Sequence, residues 1–243
     1  MSDHSKMRLG KKPRKRDRRT LKLARYLEPG LPPGKSSVDW LSAVPLFPMY
    51  GNDQYGDCAI AAIGHMVQVW SANVGSPETP GEGDILRVYR ALSPDDDGCV
   101  LLDVLKYWRQ NPIAGCRLGA FAAVNWHDPE EVRVALDLFG GLYGGAELAV
   151  AAQKQDVWDV SRGKNGAPGS WGGHCINFGQ YTDREIRCVT WGALKDATWR
   201  WLDEYIDELY ALISPDWFGA EGKTPGGLDL ETLETDLRLV TEA

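Results

Sequence analysis

One cysteine in this chain stands where its neighbours favour a reactive thiol. Residues 51–58, Gly-Asn-Asp-Gln-Tyr-Gly-Asp-Cys, form a polar turn with two glycines, and Cys58 then opens an apolar, helix-forming run that continues to about Trp70. A thiol in the first turn of a helix lies at the positive end of the helix dipole, beside backbone N–H groups that lack intrahelical partners. Both effects favour thiolate, so Cys58 is the candidate nucleophile for acyl transfer. The competing reading is a small buried hydrophobe at the start of a core helix. Acyl transfer also needs an imidazole, a group to orient it, and hydrogen-bond donors for an oxyanion. His65 follows Cys58 by seven residues, about 10 Å along one helix face, which is too far for a base and reads as structural. Asp57 should cap the helix, at the cost of a negative charge that opposes thiolate formation.

The elements that must position this chemistry follow from periodicity and punctuation. Beyond the Cys58 helix, residues 84–92 and 100–110 read as helices, the second with Leu101, Leu102, Leu105 and Trp108 on one face. The acidic run Asp95, Asp96, Asp97 between them lacks the ligand alternation of a calcium loop and reads as a solvated turn. Asp128, Pro129, Glu130 and Glu131 make a helix start leading into residues 132–139. Segments 119–125, 145–151, 173–181, 185–192 and 197–202 are short, β-branched or aromatic and bounded by Gly, Asp or Asn, which reads as strands. The stretch 196–213 reads as a strand running into a packed helix with an acidic outer face. Residues 228–240 carry a helical stripe of Leu230, Leu233, Leu237 and Val240. A helical first half and a β-rich second half give an α+β protein with lobes meeting at a cleft.

Charge is unevenly spread. Residues 1–26 hold eleven Lys/Arg against Asp3 and Asp17, a local +9, leaving 16 bases and 32 acids, or −16, for the rest of the 243-residue chain. A basic arm on an acidic body is built to contact something acidic: nucleic acid, a neighbouring protein surface, or its own body. Residues 1–20 are too poor in apolar side chains to fold alone and are expected to be disordered unless bound. Residues 20–27 suggest a short basic helix capped by Thr20, before a Pro-rich linker. Arg18 and Arg19 resemble an export signal only superficially, since no apolar stretch follows. No apolar run approaches the roughly 18 residues of a membrane span. Five cysteines (58, 99, 116, 175, 188) without a Cys-x-x-Cys pair, and histidines (4, 65, 127, 174) without ligand spacing, argue for free thiols and against a metal centre. No cofactor is expected.

Several short motifs, taken in order, resemble the papain-like cysteine peptidases. Pro33, Ser37, Val38, Asp39 and Trp40 match the start of that family's mature domain, and Asn52, Gly56 and Cys58 match its nucleophile loop. Gly172, Gly173 and His174 match the base, then Val189, Thr190, Trp191 and Gly192 match the following turn, with Trp199 and Trp201 beyond it. The resemblance implies a two-lobe fold with a helical first lobe and a β-barrel-like second lobe. It implies Cys58 as nucleophile, His174 as base, and Asn52, with Gln54 as a fallback, as oxyanion donor. Gly56 and Trp191 become supporting residues, the indole shielding the base. The chain departs from the family where Asn52 replaces Gln and where Val189 replaces the Asn that orients the histidine. The neighbouring Thr190 is expected to face the other way, because a strand reverses facing at each residue.

The resulting division is an arm and linker over 1–35, a papain-like domain over 36–213 and a C-terminal extension over 214–243. The expected activity is that of a peptidase or related thiol acyl hydrolase acting on peptide or protein substrates. The alternative is a weak or inactive papain-fold component of a virus particle or other assembly. The arm is expected to bind an acidic partner and not to inhibit the cleft, since it is short and offers few apolar anchors. The location expected is cytoplasmic or within a virus-like assembly.

Overall fold

The computed structural model describes residues 3–25, 34–219 and 222–225. In chain order the described elements are β1 (Leu21–Lys22), β2 (Val38–Asp39), α1 (Cys58–Asn73), α2 (Glu82–Leu92), α3 (Leu101–Gln110), β3 (Ala120–Ala123), α4 (Pro129–Phe139), β4 (Leu142–Leu148), β5 (Val157–Trp158), β6 (Gly172–Tyr181), β7 (Glu185–Thr190), β8 (Ala193–Thr198), α5 (Trp199–Tyr205) and β9 (Ile206–Ile213). Among them no helix is long and apolar enough to cross a membrane. The helix expected over 228–240 lies outside the described residues.

α1 is apolar nearly all round and is buried nearly all round, the behaviour of a helix enclosed by other elements. Gly64 on this helix lets the Tyr50 ring approach, since a Cβ there would meet Tyr50 Cε2 at 2.7 Å. The Trp70 indole donates to the Phe139 carbonyl at 2.9 Å and so ties α1 to the end of α4. α4 starts as its sequence dictates, with the Asp128 carboxylate accepting from the Glu130 and Glu131 N–H groups.

One sheet carries the second half of the chain, in the order β1-β3-β9-β4-β6-β7-β8-β5, with β2 pairing to β6. It is open, not the barrel-like lobe that the family resemblance implied. Alternate residues feed two cores. Tyr143, Cys175, Tyr210 and Leu212 pack with α1, α2 and α3, while Leu142, Ile176, Phe178, Leu209 and Ala211 pack with α4 and α5. The segment read as a strand into a packed helix with an acidic face is β8 leading into α5, on which Asp203 and Glu204 are exposed, but the helix ends at Tyr205 and the chain continues as a further strand, β9. β9 lies between β3 and β4, which buries Glu208 fully and leaves Asp207 only partly exposed.

The basic arm is the largest departure from expectation. In place of a basic helix, residues 21–25 form the short strand β1 on the edge of β3 and one 3-10 turn, with Leu23 buried. Further towards the N-terminus the arm runs through the groove between the Cys58 loop and β6. The Lys11 N–H donates to the Gly173 carbonyl (3.0 Å), the Lys12 N–H to the Cys99 carbonyl (2.8 Å) and the Cys99 N–H to the Gly10 carbonyl (2.8 Å). Three glycines permit this approach. A Cβ on Gly10 would lie 1.8 Å from the Gly56 oxygen, one on Gly98 2.1 Å from the Gly10 oxygen, and one on Gly173 2.3 Å from the Lys11 oxygen.

Charge pairing replaces the apolar anchors whose scarcity argued against such binding. Arg8 pairs with Asp96, Lys12 with Asp97 and Lys15 with Asp103, all partly exposed and screened by solvent. Lys11 is different, because its side chain is fully buried against Glu147 and Asp207, both at 2.8 Å. The acidic surface met by the arm is thus the protein's own body. Gly10→Val should expel the arm while leaving the body folded. Trypsin should then cut after Arg8 or Lys11 at least about tenfold faster than in the unaltered protein, with the far-ultraviolet spectrum unchanged. Equal resistance in the two proteins would refute the docking.

Candidate active site

Cys58 is the first residue of α1, as its sequence context indicates, and its Sγ accepts a hydrogen bond from the Cys175 N–H at 3.3 Å. That donor is one residue along β6 from His174. The thiol is 1% exposed. Burial pushes its pKa up to about 12; Asp57 adds to the rise, while the Cys175 and Gly10 backbone N–H groups oppose it. Burial thus opposes the thiolate expected from the helix terminus. All five cysteines are free and buried.

His174 is fully buried. Its Nε2 is 2.7 Å from the Thr190 hydroxyl, and its Nδ1 is buried without a hydrogen-bond partner. Burial lowers its pKa to about 3, so the ring is neutral. The Trp191 indole stacks on it, centroids 4.3 Å apart at 20°, and donates from its Nε1 to the Arg8 carbonyl of the arm at 3.2 Å. Thr190 thus faces the His174 ring, contrary to the expectation that it faces away. Phe178 pairs with Cys188 across β6 and β7, which puts residue 190 on the face shared by 174, 176 and 178, and puts Val189 on the other. Val189 packs with Leu41, Val44, Phe47 and Val69.

The turn before Cys58 is organised differently from its sequence reading. Asn52 is buried and donates from its Nδ2 to Asp57 Oδ1 at 3.0 Å, while Gln54 is exposed at the surface. Asp57 occupies the N-cap position of α1 without making a side-chain cap. Its other carboxylate oxygen is buried and unpartnered, and burial raises its pKa to about 7 against the opposing Asn52 hydrogen bond. The supporting glycine, Gly56, lies against Gly10, and its N–H donates to Asp96 Oδ1 at 2.8 Å.

Asp96 is the residue that the sequence did not single out. It sits in the left-handed region (φ 54°) of the turn read as merely solvated, and it also accepts from the Tyr89 hydroxyl at 2.6 Å. Partial burial would raise its pKa, but the Tyr89 and Gly56 donors and Arg8 hold it below the usual carboxylate range. One side chain thereby joins the Cys58 loop, α2 and the arm. His65 is structural as expected, buried with Nε2 2.8 Å from the Pro48 carbonyl and with a pKa lowered by burial to about 4. Among the described residues no group of three or more His, Cys, Asp or Glu is arranged to hold a metal ion.

A thiol at a helix start, packed against a strand that carries a buried histidine, lies in a fold shared with papain-like cysteine proteases. Xylellain, a cysteine protease from Xylella fastidiosa, superposes with a TM-score of 0.63 at 14% identity, covering 87% of this chain and 97% of that one. Digestive procathepsin L 3 of Tenebrio molitor gives a TM-score of 0.60 at 12% identity over 86% and 76% of the two chains. ProCathepsin B S9 of Trypanosoma congolense gives 0.59 at 11% identity over 88% of each. The sequence itself matches no family profile and no curated protein.

Two outcomes test this geometry without reference to activity. Asp57 has a raised pKa, so its contribution to stability is full below its unfolded value near 4 and is lost as pH rises through about 7. Asp57→Asn should remove that component, up to roughly 4 kcal/mol, from the pH dependence of urea unfolding between pH 4 and 7. An unchanged slope would contradict the buried carboxyl. Thr190→Val should cost about 1–3 kcal/mol by leaving a second His174 nitrogen unpaired. A loss below about 0.5 kcal/mol would contradict the Thr190 contact.

Proposed function

We propose that this chain is a papain-like cysteine peptidase, or a related thiol acyl hydrolase, whose own N-terminal arm blocks its cleft. The carrying observation is the Cys58 and His174 arrangement. The thiol abuts β6 at Cys175, and the neighbouring imidazole is fixed through Nε2 by Thr190, which leaves a buried, unpartnered Nδ1 as the proton acceptor. With the arm withdrawn, water and substrate enter the groove, the cost of burying a thiolate falls, and the helix terminus again favours that form. His174 Nδ1 takes the Cys58 proton as the sulfur attacks a peptide carbonyl, then gives it to the leaving amine, and water hydrolyses the thioester. The Cys58 backbone N–H and the Asn52 amide are the proposed oxyanion donors, and Trp191 excludes water from the base. Gln54, exposed at the surface, is the weaker candidate. Two of the similar structures are themselves precursor forms, procathepsin L 3 and proCathepsin B S9, which supports a self-blocked reading.

A second reading draws on the same burial. A neutral Cys58 and a neutral His174 under a docked arm also describe a silent papain-fold component, with the arm free to exchange its own body for a more acidic partner. Full-length protein, Gly10→Val, and Gly10→Val combined with Cys58→Ser or His174→Ala separate the two readings on fluorogenic peptide pools. The peptidase reading expects hydrolysis by Gly10→Val at least about tenfold above the unaltered protein, and loss of about a thousandfold or more when Cys58 or His174 is also replaced. Thr190→Val in the same background should lower kcat about 10- to 100-fold with little change in KM. No hydrolysis by an opened cleft would leave the assembly reading.

A further inference from the structure

The groove holds a pocket that the peptidase mechanism does not use. Beside Gly10, which covers the nucleophile, the Lys11 side chain turns into the body and is wholly enclosed. Its Nζ lies 2.8 Å from Glu147, 2.8 Å from Asp207 and 3.9 Å from Glu208, the last fully buried. The wall over its stem is Gly145, where a Cβ would lie 2.4 Å from Lys11 Cε. Any larger residue at that position would fill the space. Gly173 forms the rim, its carbonyl accepting the Lys11 N–H at 3.0 Å.

Two carboxylate oxygens in the pocket, Asp207 Oδ1 and Glu208 Oε1, are buried and make no hydrogen bond. An ammonium has three donors and uses them as a point charge, whereas a guanidinium offers five in a planar fork that suits several carboxylates at once. The pocket therefore carries more acceptor capacity than lysine satisfies. Gathering one fully buried and two partly buried carboxylates around one point is costly unless a cation sits among them, so an apolar or acidic occupant leaves them uncompensated.

We infer that this pocket is the specificity pocket of the cleft, and that it selects peptide substrates with a basic side chain, arginine above lysine, within two residues of the bond that is cut. The arm holds Lys11 where that substrate side chain goes. The backbone edges that pair with the arm, Gly173 on one side and Cys99 on the other, are available to a substrate once the arm leaves. The inference rests on the peptidase reading for its substrate, but the selectivity of the pocket is measurable without turnover.

The first measurement uses the full-length chain with Lys11→Arg, Lys11→Met and Lys11→Glu, and reads arm docking as the rate at which iodoacetamide labels Cys58. The expected result is labelling of Lys11→Arg no faster than the unaltered protein, with Lys11→Met and Lys11→Glu labelled at least about tenfold faster. Equal protection in Lys11→Met would overturn the pocket's preference for a cation. The second measurement uses Gly10→Val on peptides that differ only in arginine, lysine, norleucine or glutamate at the variable position. A kcat/KM at least about tenfold higher for arginine and lysine than for norleucine is expected, and Glu208→Gln or Asp207→Asn should shrink that ratio. Hydrolysis without regard to the basic residue would refute the pocket and leave the peptidase reading standing. Absent hydrolysis, together with the expected ranking of the Lys11 variants, would remove the peptidase reading and leave the pocket as a selective cation site.

Discussion

A buried ammonium among three carboxylates is the interaction on which the arrangement of this molecule depends. Lys11 belongs to the arm, Glu147 to β4, and Asp207 and Glu208 to β9, so one ion cluster joins the chain's first residues to the middle of its sheet. Burial alone would lower the Lys11 pKa, but Asp207 and Glu147 outweigh it and leave the value raised. On the other side, burial raises Asp207 and carries Glu208 to about 7. Each partner is tolerable only in the presence of the others. Removing one member of such a cluster commonly costs about 3–5 kcal/mol, because charge is left buried without compensation. Loss of Lys11 is less damaging to the body than to docking, since the departing arm lets water reach the carboxylates.

Everything else at the groove follows from where that cluster places the arm. With Lys11 fixed, Gly10 comes to rest on Gly56 and Gly98, and its N–H faces the Cys58 sulfur. Arg8 then reaches Asp96 with its side chain and Trp191 with its carbonyl. Because Asp96 also holds the Gly56 N–H and Trp191 also covers His174, the arm bears on both the Cys58 loop and the His174 side of the groove. The same enclosure raises the Cys58 pKa to about 12, against the helix terminus.

The place of Cys58 at the start of its helix could be read from the sequence because the signals are local: a glycine-bearing turn, a cysteine and an apolar run. The same holds for the Asp128 cap and for α2 and α3. The Thr190 contact could not be read in the same way. A one-residue change of register turns every side chain on a strand to the opposite face, and the register of β7 is set by its pairing with β6, Asn177 opposite Val189 and Phe178 opposite Cys188. Motif alignment favoured residue 189, while sheet pairing selected residue 190. The arm was hidden for another reason. Its composition describes a segment too poor in apolar side chains to pack by itself, and the groove that accepts it is assembled from residues 56, 98, 145, 147, 173, 207 and 208. The acids of β9 resembled a solvated helix face because their cation lies almost two hundred residues earlier in the chain.

The most direct test of a docked arm is amide hydrogen exchange in the full-length protein at neutral pH, followed residue by residue. The Lys11, Lys12 and Cys99 amides are donors to Gly173, Cys99 and Gly10 respectively. They should be protected by at least about a hundredfold over unfolded-chain rates, and protection of the three should fall together as salt is added, because charge pairing holds the arm. Exchange of Lys11 and Lys12 at unfolded-chain rates, with Cys99 equally unprotected, would show the groove to be open and would contradict the account.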